Sequence, residues 1–143
     1  INSGNLFFRS TQSLEHCSSV IAHLLARDYA FPIPFVLMNK EDYLAEKAEL
    51  PDWWQGDLAR RDVLFIPNNT DKASILDFIN TSELYNEIVY IGQHSIFWGK
   101  YDEAEYLKST YHKKLIKQDF YKRITIRNGK TYDKVADILQ EKG

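Results

Sequence analysis

The 143-residue chain is 44% apolar and 14% aromatic, long enough to bury the core of one domain or of two small packed subdomains, and too apolar to be disordered. Its formal net charge of −2 gives no overall attraction to nucleic acid, and no apolar run reaches the length of a membrane span. The single cysteine, Cys17, excludes an internal disulfide, and His16, His23, His94 and His112 lack ligand spacing, so neither a metal nor another cofactor is expected.

The turn-forming "NSGN" leads into "NLFF", read as a strand over residues 5–8. Ser13 is the N-cap of a helix reaching residue 28, with Leu14, Cys17, Ile21, Leu24 and Leu25 on one face. Cys17 in that stripe reads as a small core residue. "FPIPFVLM" supplies the next strand after its prolines, and Asn39 caps a second helix through Tyr43, Leu44 and Ala48 that stops before Pro51. In the irregular "PDWWQGDLARRD", Trp53 and Trp54 are expected to anchor a loop on the core, with one of the two rings facing elsewhere.

The second half begins with "VLFIPN", a continuous apolar strand over residues 63–68 that should be covered on both faces. Thr70 caps a short helix carrying Ile75, Leu76 and Ile79, and "EIVYIG" and "SIFWGK" form a hairpin around Gly92. A helix over residues 102–118 follows, with Asp102 as cap, Glu105 completing a capping box, and Lys113, Lys114 and Lys117 at its C-terminal end. "YKRITIR" is the last strand, and Tyr132, Val135, Ala136 and Leu139 are the buried face of the last helix.

From residue 63 to residue 127 the order is strand, helix, strand, strand, helix, strand, which is the split β-α-β, ferredoxin-like order. The strand–helix–strand–helix segment before it reads as a partial copy of a similar unit. The expected fold class is therefore α+β, with a partial α/β subdomain over residues 1–61 and a ferredoxin-like subdomain plus C-terminal helix over residues 62–143, together one compact domain.

Several stretches carry a family resemblance: "INSGNLFF", "PIPFVLMNKEDY", "RRDVLFIPN" and "KRITIRNGKTYDKVADIL". With Ser3, Gly4 and Asn5 at the front and Arg127, Asn128, Thr131 and Lys134 at the back, the chain resembles the bacterial domain of unknown function 1697 family along nearly its whole length. That resemblance implies two intertwined ferredoxin-like α/β subdomains with mixed sheets and a cytoplasmic protein of no assigned activity. Members begin with a further strand, a helix and a glycine-rich stretch. This sequence starts at Ile1 instead, so that part and any targeting signal are expected to lie outside it. Gly129 stands where members carry a bulky residue, which loosens the turn.

The first candidate site is the turn Arg127, Asn128, Gly129, Lys130, Thr131. Unpaired N–H groups and the positive dipole end of the last helix suit an anion there, Gly129 lets backbone approach it, and Arg127 and Lys130 can close over its oxygens. Thr131 would be the N-cap. The single glycine rules out a Walker A loop, and a capped turn with solvated cations is the competing structural account. The second candidate is a basic face. Residues 108–130 hold Lys108, Lys113, Lys114, Lys117, Lys122, Arg123, Arg127 and Lys130 against Asp119 alone. Lys113, Lys114, Lys117, Lys122 and Arg123, interleaved with Tyr106, Tyr111, Phe120 and Tyr121, could meet a nucleic-acid backbone, although "SIFWGK" lacks the aromatic signature of RNA-recognition strands. Catalytic support is thin: Ser109, His112 and Asp102 or Glu105 share one expected helix, whose single face suits a triad poorly. The leading expectation is a cytoplasmic protein binding a small phosphate- or carboxylate-bearing ligand. The alternatives are an enzyme acting on a phosphorylated metabolite and a nucleic-acid-binding module.

Overall fold

The apolar runs around Val63 and Phe97 require a sheet with both faces covered, because alternate side chains of a strand point to opposite sides. A computed structural model describes residues 4–31, 33–67 and 70–141 and meets that requirement. Among the described residues, β1 (Arg60–Phe65), β2 (Glu87–Ile91), β3 (Ser95–Lys100) and β4 (Thr125–Asn128) form one sheet of order β2-β3-β1-β4. Every neighbouring pair is antiparallel, with Val63 opposite both Phe97 and Arg127, and Leu64 opposite both Ile96 and Ile126. The fold is α+β, and the expected mixed pairing is corrected to a purely antiparallel one.

One face of the sheet presents Leu64, Ile66, Ile96 and Trp98 to Ile75 and Ile79 of α3 (Lys72–Thr81) and to Tyr111, Leu115 and Phe120. The other presents Val63, Phe65 and Phe97 to Tyr43 of α2 (Lys40–Ala48), to Trp54, and to Tyr132 and Ala136 of α5 (Gly129–Glu141). Burying each large apolar side chain contributes roughly 1.5–3 kcal/mol, so the two cores dominate the stability of this part. Trp54 is enclosed, whereas Trp53 lies half-buried over β3. A Cβ at Gly99 would stand 2.9 Å from the Trp53 ring, so the ring's approach needs a glycine.

The chain divides into two compact units, Ile1–Ile33 and Pro34–Gly143. The sheet and both cores belong to the second. The first contains α1 (Leu14–Asp28), capped as expected by Ser13, whose hydroxyl accepts the His16 N–H at 3.0 Å. None of its helical residues is buried.

Local capping signals were read well where one side chain closes its own helix. Asn39 accepts the Asp42 N–H at 2.8 Å, and Asp102 accepts the Ala104 N–H at 2.9 Å. For α3 the cap is Asp71, accepting from Ala73 at 3.0 Å, one residue beyond the expected Thr70. Residues 5–8 are irregular and exposed rather than a strand, and residues 33–38 are irregular as well; Pro32 lies outside the described residues. The first sheet strand starts at Arg60 and ends at Phe65, earlier than expected, and Asn68 lies outside the described residues.

The largest correction concerns residues 102–118. They are not one helix but a 3₁₀ turn Glu103–Lys108, a four-residue helix α4 (Thr110–Lys113) and a 3₁₀ turn Leu115–Lys117, followed by another at Asp119–Lys122. Ser109 is extended (φ −67°, ψ 150°) and interrupts the helix. The reason lies on β2. The Glu87 carboxylate accepts the Thr110 N–H (2.9 Å) and the Tyr111 N–H (2.9 Å), which an unbroken helix would have used internally. It also accepts the Tyr85 N–H (2.8 Å) and the Trp98 indole N–H (2.9 Å). With only four residues in α4, the dipole invoked for Lys113, Lys114 and Lys117 is minor.

Replacing Glu87 leaves these donors without their acceptor. Glu87→Ala is expected to lower unfolding free energy by about 3 kcal/mol in urea titrations, with Glu87→Gln, which keeps one acceptor oxygen, losing less.

Candidate functional site

The turn singled out from the sequence is closed by the protein itself. α5 starts at Gly129, and Asn128 Oδ1 accepts the Lys130 N–H at 2.7 Å, so Asn128 rather than Thr131 takes the capping role. Gly129 is buried, and a Cβ there would lie 2.7 Å from Arg61 Cβ. The space left by the missing side chain thus receives Arg61 from β1 and not a ligand. Arg61 Nη1 donates to Asp133 Oδ2 (2.9 Å) and to the Trp54 carbonyl (3.1 Å), and its guanidinium lies 4.6 Å from the Trp54 ring centroid. The Trp54 indole N–H completes the network on Asp133 Oδ1 at 3.0 Å. Arg127 Nη1 donates to the Ile126 carbonyl at 2.9 Å, Lys130 is exposed and Thr131 half-buried. Residues 127–131 do come together at one sheet edge, but the glycine serves packing.

A second charged cluster went unnoticed in the sequence. Lys100, at the end of the fully buried strand β3, is 1% exposed, and its ammonium binds Asp62 Oδ2. It also sits 3.2 Å from the centroid of the Tyr111 ring. Burial pushes the Lys100 pKa down, opposed by the Asp62 charge. At the surface beside it, the Arg60 guanidinium grips Glu103 (2.6 Å) and holds that carboxyl below its ordinary range. A lysine ending an otherwise apolar strand was the available signal.

An open concavity lies elsewhere. A cleft of ≈ 390 Å³ has Glu83, Leu84 and Tyr85 on one wall, between α3 and β2, and Lys108, Thr110, Lys113 and Lys114 on the other. The walls are fastened to each other. Thr110 is 4% exposed; its hydroxyl donates to the Glu83 carbonyl, and its N–H shares the Glu87 carboxylate with the Tyr85 N–H. Asn86, with φ 53°, is the non-glycine residue among those described that adopts the left-handed region, a conformation Asn tolerates, and it reverses the chain between Tyr85 and Glu87. Lys108 pairs with Glu105 at 3.3 Å, which raises its pKa. Lys113 and Lys114 are exposed and form no ion pair among the described residues. Glu83 is the one acid on the lining.

The basic face expected from the sequence is therefore divided. Lys113 and Lys114 line this cleft, whereas Lys117, Lys122 and Arg123 are exposed on or beside the following 3₁₀ turns and do not line it. The sequence reading did not connect Glu83, Leu84 and Tyr85 with these lysines. Ser109, His112 and Asp102 or Glu105, for which catalytic support in the sequence is thin, form no triad. Ser109 is buried, its hydroxyl donating to the Tyr106 carbonyl (2.6 Å) and accepting the backbone N–H of His112 (3.1 Å), so serine and histidine meet through a cap and not through the imidazole. Asp102 is spent on its own cap and Glu105 on Lys108. Among the described residues no group of three His, Cys, Asp or Glu side chains is arranged to hold a metal, and no helix is long and apolar enough to cross a membrane.

Comparison with known proteins gives two matches of note. A family model described as a protein of unknown function (DUF1697) matches residues 1–97. A solved structure of a conserved bacterial protein from Streptococcus pneumoniae is 43% identical, with a TM-score of 0.92, covering 98% of this chain and 78% of that one. No curated protein matches the chain.

Two substitutions test these clusters. Gly129→Ala forces its methyl onto Arg61 and is expected to cost about 1–3 kcal/mol of stability in urea titrations. Lys100→Met strands the Asp62 charge and is expected to cost about 3 kcal/mol, of which the Lys100→Met/Asp62→Leu double variant recovers most. The unfolded lysine holds its proton more tightly than the folded one. Stability of the native protein relative to the double variant should therefore rise as pH approaches 10.5, the ordinary lysine value, in a series of melts.

Proposed function

The chain belongs to the DUF1697 family of proteins of unknown function, and on that premise we propose that it binds a small anionic ligand, bearing phosphate or carboxylate, in the cleft between residues 83–85 and 108–114. The observation carrying this reading is the placement on one concave site of Lys113 and Lys114, which form no ion pair among the described residues, beside Lys108, whose charge Glu105 meets, with Glu83 as the one acid on the lining. Like-signed ammonium groups around a concavity repel each other when it is empty, and an anion relieves that repulsion while gaining charge-assisted hydrogen bonds. The walls need little reordering, because Thr110 and Glu87 already fasten them together, which keeps the entropic cost of binding low.

The turn at residues 127–131 ranks below the cleft as an anion site, since Arg61 fills the side that Gly129 leaves open. Turnover of a phosphorylated metabolite gains no support from Ser109 and His112, which meet through the backbone N–H of His112. A cytoplasmic location is part of the same reading, supported by a single cysteine that leaves the chain without an internal disulfide.

Isothermal titration with inorganic phosphate and citrate tests the reading. Lys113→Ala/Lys114→Ala should weaken whichever anion binds by tenfold or more, whereas Arg127→Ala/Lys130→Ala should leave it within twofold. The reverse pattern would move the site to the α5 turn, and no binding of any anion would end the proposal. Raising salt should weaken the interaction, because the cleft lysines are exposed.

A further inference from the structure

The cleft offers more than cations, and its second component points to the class of anion. Tyr85 and Leu84 lie on the lining yet stay 46% and 40% exposed, an apolar surface that a bare phosphate or citrate would not use. We infer that the ligand is a phosphate ester carrying a flat aromatic ring, a free mononucleotide, with its base on Tyr85 and its phosphate at Lys113 and Lys114. This inference rests on the anion-binding reading above and specifies its substrate class.

Three observations support the assignment. Tyr85 is presented by a fixed segment: its own N–H is bound to Glu87 and the next residue holds the left-handed turn, so a base can stack without first ordering the loop. The Lys108 ammonium stands over the Tyr85 ring, 5.9 Å from its centroid, so a cation and an aromatic face occupy the same part of the cleft. A nucleotide presents groups to match, a π-face joined through a sugar to a dianion. Glu83, the acid among the lining lysines, is an acceptor suited to the exocyclic amine of a base or to ribose hydroxyls, and it would repel a second phosphate placed there. The volume, ≈ 390 Å³, lies within the roughly 300–1,000 Å³ of small-molecule sites.

The same chemistry occurs in a nucleotide unit of a single strand. A free mononucleotide is favoured because Lys117, Lys122 and Arg123, the cations a continuing backbone would need, do not line the cleft.

Titrations with AMP, ribose 5-phosphate, adenosine, inorganic phosphate and a fifteen-residue oligodeoxythymidine decide the matter. AMP is expected to bind at least tenfold more tightly than ribose 5-phosphate and than adenosine, since stacking and charge each contribute. Tyr85→Ala should erase the margin between AMP and ribose 5-phosphate while Tyr85→Phe retains it. Lys113→Ala/Lys114→Ala should weaken AMP and ribose 5-phosphate alike. The Tyr85 variants keep the backbone N–H on Glu87, so their melting temperatures should match the parent. Equal affinity for AMP and ribose 5-phosphate overturns the aromatic assignment and leaves the anion reading standing. Failure of every anion, phosphate included, removes both. An oligonucleotide bound far more tightly than AMP, with log affinity falling steeply with log salt, overturns the free-nucleotide assignment in favour of a strand.

Discussion

The Glu87 carboxylate is the fixed point of the second unit. It lies on β2, at one edge of the sheet, and takes N–H donors from Tyr85 before it, from Trp98 on β3, and from Thr110 and Tyr111 at the start of α4. The Trp98, Thr110 and Tyr111 donors are close to a core that excludes water, where an unpaired N–H is costly, whereas Tyr85 is at the surface. One acceptor therefore decides where the helical segment breaks, how the turn at Asn86 closes, and how deep the Trp98 indole can sit. Move that carboxylate and two stretches of backbone, at Tyr85 and at Thr110–Tyr111, lose their acceptor together with the Trp98 indole.

The cleft follows from this arrangement. Breaking the expected helix at Ser109 allows Tyr111, Leu115 and Phe120 to reach the core while Lys113 and Lys114 turn outward. Thr110, pinned between Glu87 and the Glu83 carbonyl, brings the lysine-bearing wall against the tyrosine-bearing one. A continuous amphipathic helix would present its cations along one solvated stripe, as a charge run usually does. The interruption gives them a concave neighbour instead.

The α5 turn shows the opposite outcome for a promising local pattern. "RNGKT" has the residue types of an anion site, and the helix N-terminus is present. Its glycine nevertheless admits Arg61, and the Arg61–Asp133–Trp54 network satisfies the charges within the protein. The buried Lys100–Asp62 pair follows the same logic across the sheet. There the cation enters the interior where the neighbouring strand supplies its counter-charge and an aromatic face covers it.

What the sequence by itself determined are the features settled within a few residues. Ser13, Asn39 and Asp102 cap as read because each side chain reaches an N–H two or three positions on. The strands around Val63, Val89 and Phe97 and the buried face of α5 follow from apolar periodicity, and with them the α+β class. "NLFF" and "FPIPFVLM" misled because apolar and β-prone residues make a strand only when a neighbouring strand pairs with them, and among the described residues none does. Only the tertiary structure decided the break at Ser109, the occupant of the Gly129 space, the partner of Lys100, and the meeting of Tyr85 with Lys113 and Lys114. The Gly129 and Lys100 contacts depend on antiparallel register, and the other two on the docking of α4 against Glu83 and Glu87; no local propensity encodes either proximity.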